Sequence, residues 1–247
     1  MSSVFLLRVF TAAEKEENGN VRRATGCAGN RSRIGGGQDM NDEEYYTFIR
    51  PYEDARQMML TRLDVLNHTL YQETDGHPIH NIQERIKGKS SIEGKLIRKN
   101  KEVTVENAKD YLQDIAGIRV ICYFVDDVYN LVSILKQQSD LIMIRERDYI
   151  ANPKPNGYRS FHLIVGVPVY CLDGMEYFPV EIQFRTLSMD FWASMEHRVS
   201  YKKNRDDREK LTEELRNYAD MLVKIEKRFE VYNENGKISA EGTAGSE

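Results

Sequence analysis

Apolar side chains divide the chain into stretches of period three to four and stretches of period two. Over residues 43–71, Met59, Leu63, Leu66 and Leu70 recur at helical spacing, predicting one or two helices that Gly76-His77-Pro78 ends. Ser90-Ser91-Ile92-Glu93 has the form of a capping box, with Ser90 as the cap, and predicts the start of the next helix. Residues 103–113 read as a short helix, 118–124 as an apolar β-rich strand, 128–136 as a helix and 141–147 as a strand. Two further strands, 160–170 and 177–185, are joined by the turn pair Asp173-Gly174. Residues 187–203 and 208–232 read as helices, and 233–247 as a frayed polar tail. The pattern predicts an α+β fold: a sheet of about four or five strands, with helices covering it and extending from both ends.

The clearest alternation falls in residues 178–185. Phe178, Val180, Ile182 and Phe184 point one way; Glu181, Gln183 and Arg185 point the other. A solvent-facing sheet explains that pattern as well as an active-site floor does. The neighbouring strand places His162 on a polar face too, which adds an imidazole to the carboxylate, the amide and the guanidinium.

The 247 residues suffice for one domain of ordinary size plus tails. Residues 11–39 are rich in Gly, Asn and Arg and lack apolar periodicity, so residues 1–40 are expected to be a disordered arm, with Met40 as an alternative start. The expected layout is then a folded domain over 41–205, a C-terminal helix over 206–232 and a disordered tail over 233–247. Net charge is −4, which excludes a general nucleic-acid polycation. The charge is unevenly placed, however: residues 85–101 hold seven basic side chains and a single acid, Glu93. Such a cluster fits a phosphate site or a solvated helix face. The three cysteines form neither a disulfide framework nor a metal-ligand pattern, and Cys122 reads as a buried thiol. No apolar run reaches the roughly 20 residues of a membrane helix, so no membrane partner and a cytoplasmic location are expected.

Within the basic stretch, Ser91, Lys95 and Arg98 are spaced to share one helix face, with Arg85 and Lys87 just before it. Asp114 stands at the mouth of strand 118–124, where alternation sets Arg119 opposite Ile118 and Val120. A carboxylate there suits Mg²⁺, although an Asp in a helix-to-strand turn is also common. Residues 152–162, Asn-Pro-Lys-Pro-Asn-Gly-Tyr-Arg-Ser-Phe-His, form a stiff polar loop. Asn156-Gly157 is expected to turn tightly and present the Tyr158 ring outward, where it could stack on a base beside Lys154, Arg159 and His162. A buried tyrosine anchoring the loop is the competing account. His77 and His80 lack acidic or cysteine company and read as structural.

Taken in order, these segments resemble the synthetase domain of the RelA/SpoT alarmone enzymes, and in length the chain is similar to the small alarmone synthetases. The resemblance covers about residues 45–205. It rests on Arg85-Ile-Lys87 with Ser91-Ile-Glu-Gly-Lys95-Leu-Ile-Arg98, on Asp114-Ile-Ala-Gly117-Ile-Arg119 and on Lys154-Pro-Asn-Gly-Tyr158-Arg-Ser-Phe-His162. Glu181-Ile-Gln183 and Phe191-Trp192-Ala-Ser-Met-Glu196-His197 complete it. It implies a nucleotidyltransferase-like mixed sheet of about five strands and transfer of pyrophosphate from ATP to the 3′-hydroxyl of GDP or GTP. By the same resemblance Arg85 and Arg119 sandwich adenine, while Lys87, Ser91, Lys95 and Arg98 hold the ATP phosphates. Tyr158 stacks on guanine, with Lys154 and His162 near the acceptor's phosphates. Asp114 and Glu181 bind Mg²⁺; Glu181 also helps to deprotonate the hydroxyl, and Gln183 orients it. A homotetramer built through terminal helices is implied, and regulation by alarmone or single-stranded RNA occurs among such enzymes. The chain contains no His-Asp dipeptide, so synthesis without hydrolysis is expected. The alternative is a catalytically silent nucleotide- or RNA-binding module of the same fold.

Overall fold

The computed structural model of the chain describes residues 40–74, 76–200 and 208–241. The expected N-terminal arm, residues 201–203 of the predicted helix and the last six residues lie outside these. Met40 itself packs into the core.

Helix α1 (Asp42–Thr74) is one continuous helix, Pro51 included. Its start is a reciprocal cap: Glu44 N–H donates to Asn41 Oδ1 at 2.8 Å, and Asn41 N–H to Glu44 Oε2 at 2.9 Å. Phe48, Tyr52, Ala55, Met59 and Leu63 form its buried stripe. Then follow β1 (Ile79–Ile86), α2 (Lys89–Arg98), α3 (Val105–Tyr111), β2 (Ala116–Cys122), α4 (Val125–Lys136), β3 (Ile142–Asp148), β4 (Phe161–Cys171), β5 (Gly174–Thr186), α5 (Leu187–Ser200) and α6 (Arg208–Glu241).

The five strands form one mixed sheet in the order β1-β2-β5-β4-β3, with β2 and β5 parallel and the other pairs antiparallel. Phe178, Val180, Ile182 and Phe184 are buried as the alternation predicts. They lie on the face covered by α1 and α4: Tyr52 meets Phe178 edge-on at 5.2 Å, and Tyr129 meets Phe161, which pairs with Phe184. Cys122 is buried, and burial pushes its thiol pKa up. The opposite face of β5 keeps its polar side chains and floors a cleft.

Three expectations are corrected. Strand β1 is not legible in the sequence. Its apolar residues, Ile79, Ile82 and Ile86, lack the period of two, because an edge strand with a register shift between Ile79 and Asn81 has no face to bury throughout. The Ser90 capping box does not form. Lys87 N–H bonds to Ile115 O, which turns the chain early, so α2 starts at Lys89 with Gly88 as an extended N-cap and no side-chain cap. The C-terminal helix continues to Glu241 instead of ending at 232, since each further residue adds a hydrogen bond and no proline interrupts the run.

Helix α6 docks on the end of the sheet and on the loop before β4. Trp192 Nε1–H donates to Leu215 O at 2.7 Å, and Arg159 reaches Ala219 O and the Asp220 carboxylate. Beneath it Glu226 is only 8% exposed and accepts from the hydroxyls of Thr186 and Ser188. Burial raises its pKa; the hydroxyl bonds offset this only in part. A carboxyl favoured in its neutral form in the fold contributes stability that is full below its unfolded pKa, about 4.3, and lost as pH rises through the folded value. Glu226→Gln is therefore expected to melt above the wild type at pH 8, with the gap closing near pH 4. Thermal melts across that range check it; a gap independent of pH would contradict the assignment.

Candidate active site

The sheet register assembles the polar face. One row across the strands runs Arg85, Gly117, Glu181, Ile164, Arg145; the next runs Gln83, Arg119, Gln183, His162, Arg147. Laterally paired residues share a sheet face, so residues distant in sequence come to one floor. The Arg85 side chain runs alongside Gly117, where a Cβ would be in ordinary contact, 3.4 Å from Arg85 Nε. Arg119 Nη1–H donates to Gln83 Oε1 at 3.0 Å. Arg85, Gly117, Arg119, Glu181 and Gln183 line one pocket of the cleft. The adjoining pocket lies against α2, α3 and β3, where Lys95, Asp114, Arg145 and Arg147 face Glu181.

Asp114 closes the β2 end of this second pocket. Its Oδ2 accepts from Lys87 Nζ and Lys95 Nζ, each at 2.8 Å, while its buried Oδ1 has no hydrogen-bond partner. Burial pushes the Asp114 pKa up, but the two ammonium groups outweigh it and hold the carboxyl below its usual range. Glu181 behaves alike. Burial raises its pKa, and hydrogen bonding to His162, the His162 charge and Gln183 more than offset that, against repulsion from Asp114. His162 Nδ1 lies 3.5 Å from Glu181 Oε1, and Gln183 Nε2–H donates to Glu181 Oε2 at 3.3 Å. Two ionised carboxylates therefore face one cleft rich in cations. Hard oxygens of this kind, one of them unpartnered, fit a Mg²⁺ ion completed by phosphate and water oxygens. Among the described residues no cluster of three or more potential ligands forms.

The loop before β4 folds as the sequence predicts in its backbone. Gly157 N–H bonds to Lys154 O at 2.8 Å, and Gly157 adopts φ +90°. A Cβ at Gly157 would come 2.7 Å from Ala219 Cβ, so the glycine also lets α6 approach. The expectation of an outward ring at Tyr158 is corrected. The ring is half-buried against Trp192, Tyr149 and His162, because α5 and α6 wall the loop from behind. Its hydroxyl lies 2.8 Å from His162 Nε2. Lys154 Nζ stands 4.6 Å from the Tyr158 ring centroid and 4.8 Å from that of Tyr149.

Not every predicted residue joins the cluster. Ser91 and Arg98 are exposed on α2, and Arg98 Nε–H donates back to Gly94 O at 3.2 Å. Conversely, Arg145, Arg147 and Tyr149 stand at the site without a mark in the sequence. Strand β3 is half-buried along most of its length, and the burial alternation that would have marked its inward residues is absent.

Residues 84–206 match the family described as the region found in RelA / SpoT proteins. The chain is 41% identical over 188 residues to the GTP pyrophosphokinase YwaC of Bacillus subtilis, spanning 76% of this chain and 89% of that protein. Its fold superposes on small alarmone synthetase 1 of Bacillus subtilis bound to its product pppGpp, with a TM-score of 0.68 at 33% identity, covering 78% of this chain and 98% of the other. The same synthetase bound to AMPCPP superposes with a TM-score of 0.64 at 29% identity, covering 78% and 100%. With the paired carboxylates, the lysine-lined cleft and the tyrosine loop in register, the chain belongs to the RelA/SpoT family, among the small alarmone synthetases.

Proposed function

We propose that this chain transfers the β,γ-pyrophosphate of ATP to the ribose 3′-hydroxyl of GDP or GTP, making (p)ppGpp. The observation behind this reading is the ionised pair Asp114 and Glu181, set between the cationic pocket and the tyrosine loop. A silent binding module would have no need of two carboxylates facing polyanions.

In this reading Arg85 and Arg119 hold adenine, whose planar ring suits guanidinium stacking. Lys87 and Lys95 meet the ATP phosphates; Ser91 and Arg98, exposed on α2, would have to turn toward the cleft to join them. Tyr158 would stack on guanine once Lys154, which stands over its ring, moves to the phosphates, and Lys154, His162, Arg145 and Arg147 supply positive charge for the acceptor's phosphates. The 3′-oxygen attacks the β-phosphorus, the bond from that phosphorus to the α,β-bridging oxygen breaks, and AMP leaves. Glu181 accepts the hydroxyl proton, and Gln183 fixes the Glu181 carboxylate. Mg²⁺ held by Asp114 and Glu181 would neutralise phosphate charge and acidify the hydroxyl.

Exposed Tyr218, Met221, Ile225, Phe229 and Tyr232 form an apolar stripe on α6, which suits assembly of a homotetramer. Among the described residues no helix is long and apolar enough to cross a membrane. A cytoplasmic enzyme, with ATP and guanine nucleotides at hand, fits the reading.

The test is incubation of the purified chain with γ-labelled ATP, Mg²⁺ and GDP or GTP in turn, with products resolved by anion exchange. Label is expected in a tetra- or pentaphosphate guanosine, with AMP in equal amount. Absence of transfer to either acceptor, while both nucleotides bind, overturns it. Light scattering on the same preparation should give about four times 28.7 kDa.

A further inference from the structure

We propose that Asp190, through the buried Arg185, is a positioning residue that holds the donor-side Arg119 and the acceptor-side Tyr158 as one unit. This rests on the reading above, in which Arg119 faces ATP and Tyr158 the guanine nucleotide.

Arg185 is 5% exposed, and a guanidinium that deeply buried needs a counter-charge. Asp190 provides it. It lies in the first turn of α5, which begins immediately after β5, so the helix start turns its carboxylate back over the strand just left. Asp190 Oδ1 lies 3.0 Å from Arg185 Nη1 and 3.3 Å from Arg119 Nη1. One carboxylate oxygen thus meets two guanidinium groups that repel each other. Burial and the Arg185 charge depress the Arg119 pKa, and Asp190 opposes that.

Each guanidinium leads to a different subsite. The same Arg119 Nη1 also donates to Gln83 Oε1, and Arg119 lines the pocket shared with Arg85. Arg185 Nη2–H donates to Tyr158 Oη at 3.1 Å and to Gln183 Oε1 at 3.2 Å. The Tyr158 hydroxyl in turn lies 2.8 Å from His162 Nε2. His162 Nδ1 lies 3.5 Å from Glu181 Oε1, so the same chain of contacts extends to Glu181. Without Asp190, two adjacent cations would move apart and relax both subsites together. A residue serving only to stabilise the β5–α5 turn would leave nucleotide affinities alone.

The experiment uses Asp190→Asn, Asp190→Glu and Arg185→Lys in the full chain, with Tyr158→Phe for comparison. Calorimetry measures AMPCPP and GDP separately, alongside KM, kcat and Tm. Asp190→Asn should weaken both ligands about tenfold, the loss expected of one charge-assisted hydrogen bond. Asp190→Glu should restore part of both affinities, and Tyr158→Phe should weaken GDP alone. If Asp190→Asn lowers Tm or kcat with both affinities unchanged, or weakens only one ligand, the proposal is overturned. Should Asp190→Asn fail to fold, Arg185→Lys reads the same coupling. A wild type that binds both ligands but transfers no pyrophosphate defeats the proposed reaction; the variant affinities still decide the positioning pair.

Discussion

Glu181→Gln should lower kcat by about 10²–10⁴-fold while both nucleotides still bind, the range expected when a positioned proton acceptor is lost. The substitution keeps the shape and the half-buried position between His162 and Gln183 and removes only the charge. Lys87 and Lys95 of the ATP pocket take Asp114, not Glu181, as their counter-ion. Affinity and turnover therefore separate. The wild-type pH profile adds a second check. The Glu181 and Asp114 pKa values are both held below the ordinary carboxylate range, so both groups stay ionised until the pH falls through those lowered values. Their shared acid limb should lie on the acid side of a free carboxylate, about 4. Steady-state kinetics with single-turnover controls measure both. Parallel loss of binding and turnover in Glu181→Gln would make the residue a structural one.

Asp114→Asn should lose kcat by about 10²–10³-fold, the several kcal/mol a metal clamp supplies to phosphoryl transfer. The Mg²⁺ concentration for half-maximal rate should rise with it. ATP affinity should suffer far less. In the free protein the two ammonium groups share one Asp114 oxygen, and ATP phosphates offer them the same charge once the carboxylate is gone. Removing that carboxylate leaves two cations side by side, so the unliganded variant should melt below the wild type, and saturating ATP should recover part of the difference. Titration of Mg²⁺ against rate decides the matter: normal kcat at normal Mg²⁺ would take Asp114 out of the metal site.

Legibility differed from one part of the site to another for identifiable reasons. Glu181, Gln183 and Arg185 stand out because a strand with one buried face writes its period of two into the sequence. The Asn156-Gly157 turn is visible because few residues other than glycine adopt φ near +90°. Strand β1 carries Gln83 and Arg85 yet shows no alternation, as an edge strand buries little on either side. Ser90 has the chemistry of a cap but sits inside the helix, because a backbone bond from Lys87 to Ile115 sets where the helix begins.

Local chemistry and periodicity thus determine the element types except β1, the inward face of β5, the stiff loop and, through five ordered motifs, the family. Tertiary structure alone decides which residues meet. Strand register sets Arg85 in one row with Glu181 and Arg145, and Gln83 with His162 and Arg147. Docking of α5 and α6 turns the expected outward Tyr158 into a half-buried ring. The same packing brings Asp190 to both Arg119 and Arg185. The physical reason is range: backbone propensity and amphipathic period act within a few residues, whereas pairing between strands and burial of charge depend on segments tens of residues apart.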